Sequence, residues 1–387
     1  MFSSRLPSSL AQNALTAAVE RRRARGPAFV DLTESNPTAT FDYDASILAR
    51  LSDRAALCYE PSALGLRSAR AAVAADYARR GVEVAPGRIA LTASSSESYS
   101  FLFKLLCDPG DNVLVPVPSY PLFEHLAALD AVEIRPYALE YHGRWTHEVS
   151  TVERAADLRT RAVLVVSPNN PTGSRVRRSE LAGLETLCAA RDLALVGDEV
   201  FADYAIQVLP DAAASVLEAS RCLAVSLGGL SKSVGLPQLK LGWMAFGGPA
   251  ALVSAAMERV EIVGDTYLSV STPVQVAVPS LLERGAAVRA QIADRVLRND
   301  AELRRVAEDH PACRVLPVEG GWSAVVQVPA IEDDERTALA LLERADVLVH
   351  PGYFFDFPRD GFLVVSLIVE PGAFAAAVRR LFAALAR

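Results

Sequence analysis

No run in the 387-residue sequence is both long and apolar enough to cross a bilayer, which argues against a membrane protein. The first thirty residues hold no uninterrupted apolar stretch, so no secretory leader is expected. A basic face is also missing. The net charge is −7, and the longest basic run, Arg21-Arg22-Arg23 with Arg25, reads as the solvated end of a short helix. Nucleic acid is therefore not an expected partner. The five histidines show no HExxH or other paired spacing, so no metal site is expected. The five cysteines, Cys58, Cys107, Cys188, Cys222 and Cys313, are scattered, odd in number and without a CxxC pair. They read as small core residues in a reducing cytoplasm, the expected location. There is no repeat and no low-complexity linker.

What remains is a folded composition, 51% apolar and 22% charged, in a chain long enough for two or three domains. Strand and helix patterns alternate, which predicts an α/β fold with a mostly parallel sheet. Helices are predicted over 68–80, 95–107 and 178–191. Strands are predicted at 89–91, 112–117, 132–137, 162–167, 193–197, 222–226 and 241–246. Near-continuous apolar strands of this kind belong to a sheet covered on both faces. After about residue 286 the pattern changes. A long helix over 287–309 leads into strands at 313–317 and 322–328, and a helix at 334–345 follows. Strands at 347–350 and 362–368 precede a terminal helix from Pro371. The expected division is an N-terminal arm over 1–45 joining the smaller unit, a large domain over 46–285 and a smaller α+β domain over 286–387.

Four segments carry chemistry. Lys232 follows the strand ending at Ser226 and the turn-prone Gly228-Gly229, in a stretch with few charges. Desolvation lowers a lysine's pKa and makes its amine a nucleophile able to form an imine with an aldehyde. A solvated surface lysine is the plain alternative. Asp198 sits at the carboxyl end of a buried strand, where open α/β sheets bind ligands; a helix N-cap is the alternative. Such a carboxylate can hold the ring-nitrogen proton of pyridoxal phosphate. A charge pair ~4 Å apart at an effective dielectric of ~20 is worth ~4 kcal/mol, or about three pK units. Ser167-Pro168-Asn169-Asn170-Pro171-Thr172-Gly173 is a turn by composition, at the same sheet edge. The Asn170 amide could donate to a ring oxygen there. Ser94, Ser95 and Ser96 follow a strand and open a helix, a place for either a phosphate or a plain serine cap.

Together these segments resemble the class I/II aminotransferase family of fold-type I pyridoxal-phosphate enzymes, over nearly the whole chain. Ser35-Asn36-Pro37, Tyr59-Glu60-Pro61 with Gly65-Leu66-Arg67, Pro118-Ser119-Tyr120-Pro121, PNNPTG, DEVF, LSK and Gly242-Trp243 come in the family's order. The resemblance implies pyridoxal 5′-phosphate held by Lys232 as a Schiff base, with Lys232 moving the Cα proton. It implies Asp198 on the pyridinium nitrogen, Asn170 on the ring O3′ and Tyr120 on the ring face. Ser94, Ser95, Ser96 and Lys240 fall in phosphate positions. Tyr59, with Ser269, would reach the cofactor of a second subunit, which implies a homodimer with shared sites. Asn36 and Tyr353 are candidate substrate contacts, and Phe354 and the Gly320-Gly321-Trp322 segment could line the substrate mouth. The implied reaction moves an amino group from an amino acid to a 2-oxo acid by a ping-pong cycle.

The sequence departs from the family pattern in several places. Phe201 replaces a tyrosine that would bond the ring oxygen. Lys240 replaces an arginine and lacks its bidentate fork. Gly229 replaces a hydroxyl residue, and Ser94 replaces a glycine. Val364 falls where an arginine normally clamps the substrate α-carboxylate, with Arg359 and Arg5 as conceivable substitutes. That last departure keeps a rival open: β-elimination, decarboxylation or racemisation on the same cofactor. A non-enzymatic regulator on this fold is the other rival, though no added DNA-binding domain is visible.

Overall fold

The computed structural model describes residues 2–386 apart from 8, 27 and 122. Its centre is an eight-stranded sheet. In spatial order the strands are Ile89–Thr92, Gly242–Gly247, Ala224–Gly229, Ala194–Asp198, Thr160–Val166, Asn112–Val117, Glu133–Tyr141 and Trp145–His147. Six of these run in one direction. Gly242–Gly247 and the edge strand Trp145–His147 run the other way.

Side chains alternate between faces, so Leu195 joins the core under helix Arg178–Arg191, with Leu184 and Leu187. Its neighbours Ala194 and Val196 join the opposite core, with Phe101 and Leu102 of helix Ser95–Leu106 and Val253 and Val260 of helix Ala250–Tyr267. Burial on both faces explains why these strands read as unbroken apolar runs. The parallel direction carries the chain ends after Thr92, Val117, Val166, Asp198 and Gly229 to one edge of the sheet.

A second, antiparallel sheet has the order Arg314–Val315, Ser323–Gln327, Phe362–Ser366, His350–Pro351. Helices Ala286–Ala307, Asp334–Arg344 and Pro371–Leu385 accompany it. The N-terminal arm joins this part: Val30–Asp31 pairs in parallel with Val347–Leu348, and Ala18 packs on Leu342 and Leu348.

Most predicted elements lie within a few residues of their observed ends. Two of the longer helices carry no clear sequence signal. Ala250–Tyr267 leaves Ile262 70% and Tyr267 52% exposed, so apolar residues fall on both of its faces and blur the period. Thr272–Arg284 contains Pro279, which reads as a breaker.

Candidate active site

The segments at the carboxyl edge of the large sheet surround a cavity of about 360 Å³. Lys232, Asp198, Asn170, Tyr120, Ser94, Ser95, Ser96 and Lys240 all line it. Lys232 lies on the short helix Leu230–Ser233, directly after the strand Ala224–Gly229. Its Nζ donates to the Ser35 carbonyl (3.3 Å) and lies 4.8 Å from the Trp322 ring centre and 5.7 Å from that of Phe201. Burial pushes its pKa down to about 8, against the opposing pull of Asp198 and Glu34. The helix that carries it is held from behind by Tyr204, whose hydroxyl donates to the carbonyls of Lys232 (2.6 Å) and Ser233 (3.2 Å).

Asp198 closes the strand Ala194–Asp198. Its Oδ2 accepts from the Tyr99 hydroxyl (2.9 Å) and its Oδ1 from the Val200 N–H (3.2 Å). Desolvation raises its pKa even so, with Tyr99, Val200 and Lys232 opposing. A carboxylate in that state is short of a cation, and a protonated ring nitrogen would supply one. Tyr99 has no counterpart in the sequence reading. Its spacing of four from Ser95 on one helix was the available signal, since it puts both on the turn facing the sheet edge.

The serine loop divides its work. Ser94 is the helix N-cap, its Oγ accepting from the Glu97 N–H (3.1 Å), while Glu97 Oε2 accepts from the Ala93 N–H (2.6 Å). The plain capping role therefore holds for Ser94. The hydroxyls of Ser95, Ser96 and Ser231 and the Lys240 ammonium have no protein hydrogen-bond partner among the described residues, and all line the cavity. With the first free N–H groups of a twelve-residue helix, they suit a phosphate dianion. Gly242 seats this loop on the sheet: a Cβ there would meet Ser94 C at 2.6 Å and Ser95 N at 2.8 Å. Asn170 Oδ1 accepts from Ser323 Oγ (3.4 Å), which leaves its NH2 as the donor for a ring oxygen. Tyr120 is 45% exposed and can cover a ring. These groups fit pyridoxal phosphate in charge and donor type.

Several predicted residues lie outside the cavity wall. Asn36 caps the turn Pro37–Ala39, its Oδ1 accepting from the Thr38 N–H and hydroxyl; Thr33 and Ser35 line the cavity instead. Tyr353 points to Glu335 (3.1 Å), and Phe354 and Phe355 take its place. Tyr59, 67% exposed, lies with Ser269 in a separate depression. Trp322 does line the cavity. Phe201 is buried and packs edge-on against it, the centres 5.3 Å apart. Val364 is buried and forms part of the wall. Neither suggested substitute lines the cavity: Arg359 lies over the Phe362 ring at 5.3 Å, and Arg5 donates to the Leu129 carbonyl (3.0 Å).

Comparison with known proteins agrees with this geometry. Residues 50–381 match the family model for aminotransferase class I and II, and the chain belongs to that family. The valine–pyruvate aminotransferase of Mycobacterium tuberculosis strain H37Rv is 29% identical over 378 residues, covering 94% of this chain and 93% of its own. The glutamate–pyruvate aminotransferase AlaA of Escherichia coli K12 is 25% identical, covering 90% and 88%. An alanine aminotransferase structure from Pyrococcus furiosus superposes with a TM-score of 0.88 at 22% identity, over 99% of both chains. An aminotransferase structure from M. tuberculosis gives 0.84 at 26% identity, over 96% and 94%. The protein is thus a pyridoxal-phosphate-dependent aminotransferase of fold type I. Family and relatives favour transamination over elimination, decarboxylation or racemisation. Among the described residues, no helix is long and apolar enough to cross a membrane.

Proposed function

We propose that this enzyme moves the amino group of a neutral amino acid to a small 2-oxo acid such as pyruvate, in a ping-pong cycle with Lys232 as the proton carrier. One observation carries the reading. A lysine with a depressed pKa, a buried carboxylate short of a cation and a set of free phosphate donors share one cavity. The names of the relatives, valine–pyruvate and glutamate–pyruvate aminotransferase, support a small 2-oxo acid as acceptor, and the first also a neutral donor.

Bound pyridoxal phosphate supplies the aldehyde that captures an amino group and the conjugated ring that accepts an electron pair. The chain's own residues do the rest. Asp198 holds the ring-nitrogen proton, and Tyr99 fixes the carboxylate that does so. Ser95, Ser96, Ser231 and Lys240 hold the phosphate, Asn170 donates to the ring oxygen, and Tyr120 covers one ring face. Lys232, once its amine is free, is placed to take the proton from the substrate Cα and to hold it on Nζ for return. A pKa of about 8 keeps an appreciable share of that amine neutral at physiological pH. Trp322 and Phe201 flank the lysine and keep water from it.

We also propose a cytoplasmic homodimer in which Tyr59 reaches the partner's cofactor phosphate; the Ser269 hydroxyl, expected to do the same, instead donates to Glu97 Oε2 of its own chain (2.6 Å). The exposed Leu57, Tyr59, Ile262 and Tyr267 support such an interface. Residues 46–285 are proposed as the cofactor domain and 286–387, with the arm 1–45, as the smaller one. Incubation with a panel of ¹⁵N-labelled amino acids and with pyruvate or 2-oxoglutarate tests the reaction. Label in the product amino acid is expected; ammonia or CO₂ release without transfer would refute it.

A further inference from the structure

The cavity poses a charge problem at its substrate end. Val364 stands where the family pattern puts an arginine, and the only lysines or arginines among the described lining residues are Lys232 and Lys240. Both of these have duties toward the cofactor. An amino-acid carboxylate would then be buried without a cation, which is costly. The strand register identifies a candidate. In the antiparallel pair, His350 is the cross-strand partner of Val364, and both line the cavity. Cross-strand partners on one face have Cβ atoms about 5 Å apart, so the imidazole lies beside the missing guanidinium's root.

Apolar contacts position the ring of His350. Phe354 stacks on it at 5.0 Å and 9°, and Phe355 meets it edge-on at 5.6 Å. Among the described residues, no hydrogen bond to the protein holds its nitrogens, and burial pushes its pKa down to about 4. The Ser366 hydroxyl, on the same strand as Val364, is engaged: its Oγ donates to the Glu34 carbonyl (2.6 Å).

We propose that the imidazole of His350 takes over the arginine's role and meets the α-carboxylate of the amino-acid substrate. The proposal rests on the amino-acid reading above. An arriving carboxylate draws a proton from solvent onto the ring, forming an ion pair and hydrogen bond. The charges around it leave this possible. Asp31, on the strand Val30–Asp31, favours the charged ring. The strand Phe362–Ser366 presents uncharged Val364 and Ser366, and the turn Gly352–Phe355 presents phenylalanines. From helix Asp334–Arg344, Asp334 accepts from the N–H groups of Gly361 and Phe362, and Glu335 from the Tyr353 hydroxyl. Lys232, Asp198 and Lys240 share the cavity.

The test compares kcat/KM for the best amino acid of the panel with that for its primary amide, which has the same shape and no charge. His350→Ala is expected to cut the acid-over-amide preference about 10- to 100-fold, mostly through KM for the acid, with the amide little changed. A merely structural role would lower both substrates together. An unchanged preference, in protein that retains the wild-type cofactor absorbance and thermal midpoint, overturns the proposal. His350→Gln keeps an N–H donor and cannot charge, so it supplies a second test should the alanine variant fail to fold. The wild-type advantage over it for the acid is expected to shrink as pH rises, because wild-type binding takes up a proton; a flat ratio overturns the pairing. If wild-type enzyme reacts with no amino acid, the donor reading falls and this proposal with it. If it reacts and the preference survives in His350→Ala, only the role of His350 falls.

Discussion

Replacing Lys232 with methionine should stabilise the cofactor-free protein at neutral pH while abolishing catalysis. The reason is the site's own electrostatics. Burial lowers the lysine from its ordinary 10.5 to about 8, so the folded protein carries its ammonium at a disadvantage. A gap of about 2.5, at 1.36 kcal/mol per pK unit, is about 3 kcal/mol. The folded pKa is the depressed one, so the unfolded chain binds more protons between pH ~8 and ~10.4 and stability rises with pH across that window. The penalty is fully present below pH ~8 and is gone above pH ~10.4. Methionine keeps the length of the side chain and removes the charge, so its advantage over wild type should be about 2–3 kcal/mol at pH 7 and small at pH 10. Urea unfolding of both cofactor-free proteins across this range measures it, with the difference isolating the lysine. Equal stability at pH 7, or an advantage that does not change with pH, would refute the claim that Lys232 is desolvated.

Other consequences concern the neighbours. Asp198→Asn removes the charge that retains the ring-nitrogen proton; with ~4 kcal/mol at stake, single-turnover Cα proton abstraction should slow about 1,000-fold. Tyr99→Phe removes one charge-assisted hydrogen bond of 2.9 Å and should weaken cofactor binding about 10- to 100-fold, read by absorbance titration; unchanged affinity would show that Val200 suffices. Gly242→Ala should also weaken cofactor binding, because its Cβ displaces the Ser94–Ser95 backbone; inorganic phosphate should protect it less against heating than it protects wild type. Tyr59→Phe should lower cofactor affinity only in protein that sediments as a dimer.

The site's main residues were legible because each sits at a punctuation mark: a strand end, a Pro/Asn turn, a serine cap. Parallel strands then deliver those marks to one edge, which the apolar runs already implied. Contacts made by distant pairing were not legible. Tyr99 reaches Asp198 only because helix Ser95–Leu106 packs under that strand. Tyr204 meets the Lys232 carbonyl across 28 residues. His350 faces Val364 by a register that no local pattern encodes. Asn36 and Tyr353 looked like contacts because they sit in suggestive segments, yet local capping and an outward-facing turn claim their side chains. The helices over 250–284 escaped because an exposed apolar face and an internal proline hide helical periodicity.

Borohydride reduction of the cofactor-saturated enzyme, followed by peptide mass spectrometry, tests the central assignment most directly. The expected result is a phosphopyridoxyl group on the peptide containing Lys232 and on no other lysine, with the label lost in Lys232→Met. An unmodified Lys232 peptide from fully saturated protein, or the group on Lys240, would contradict it.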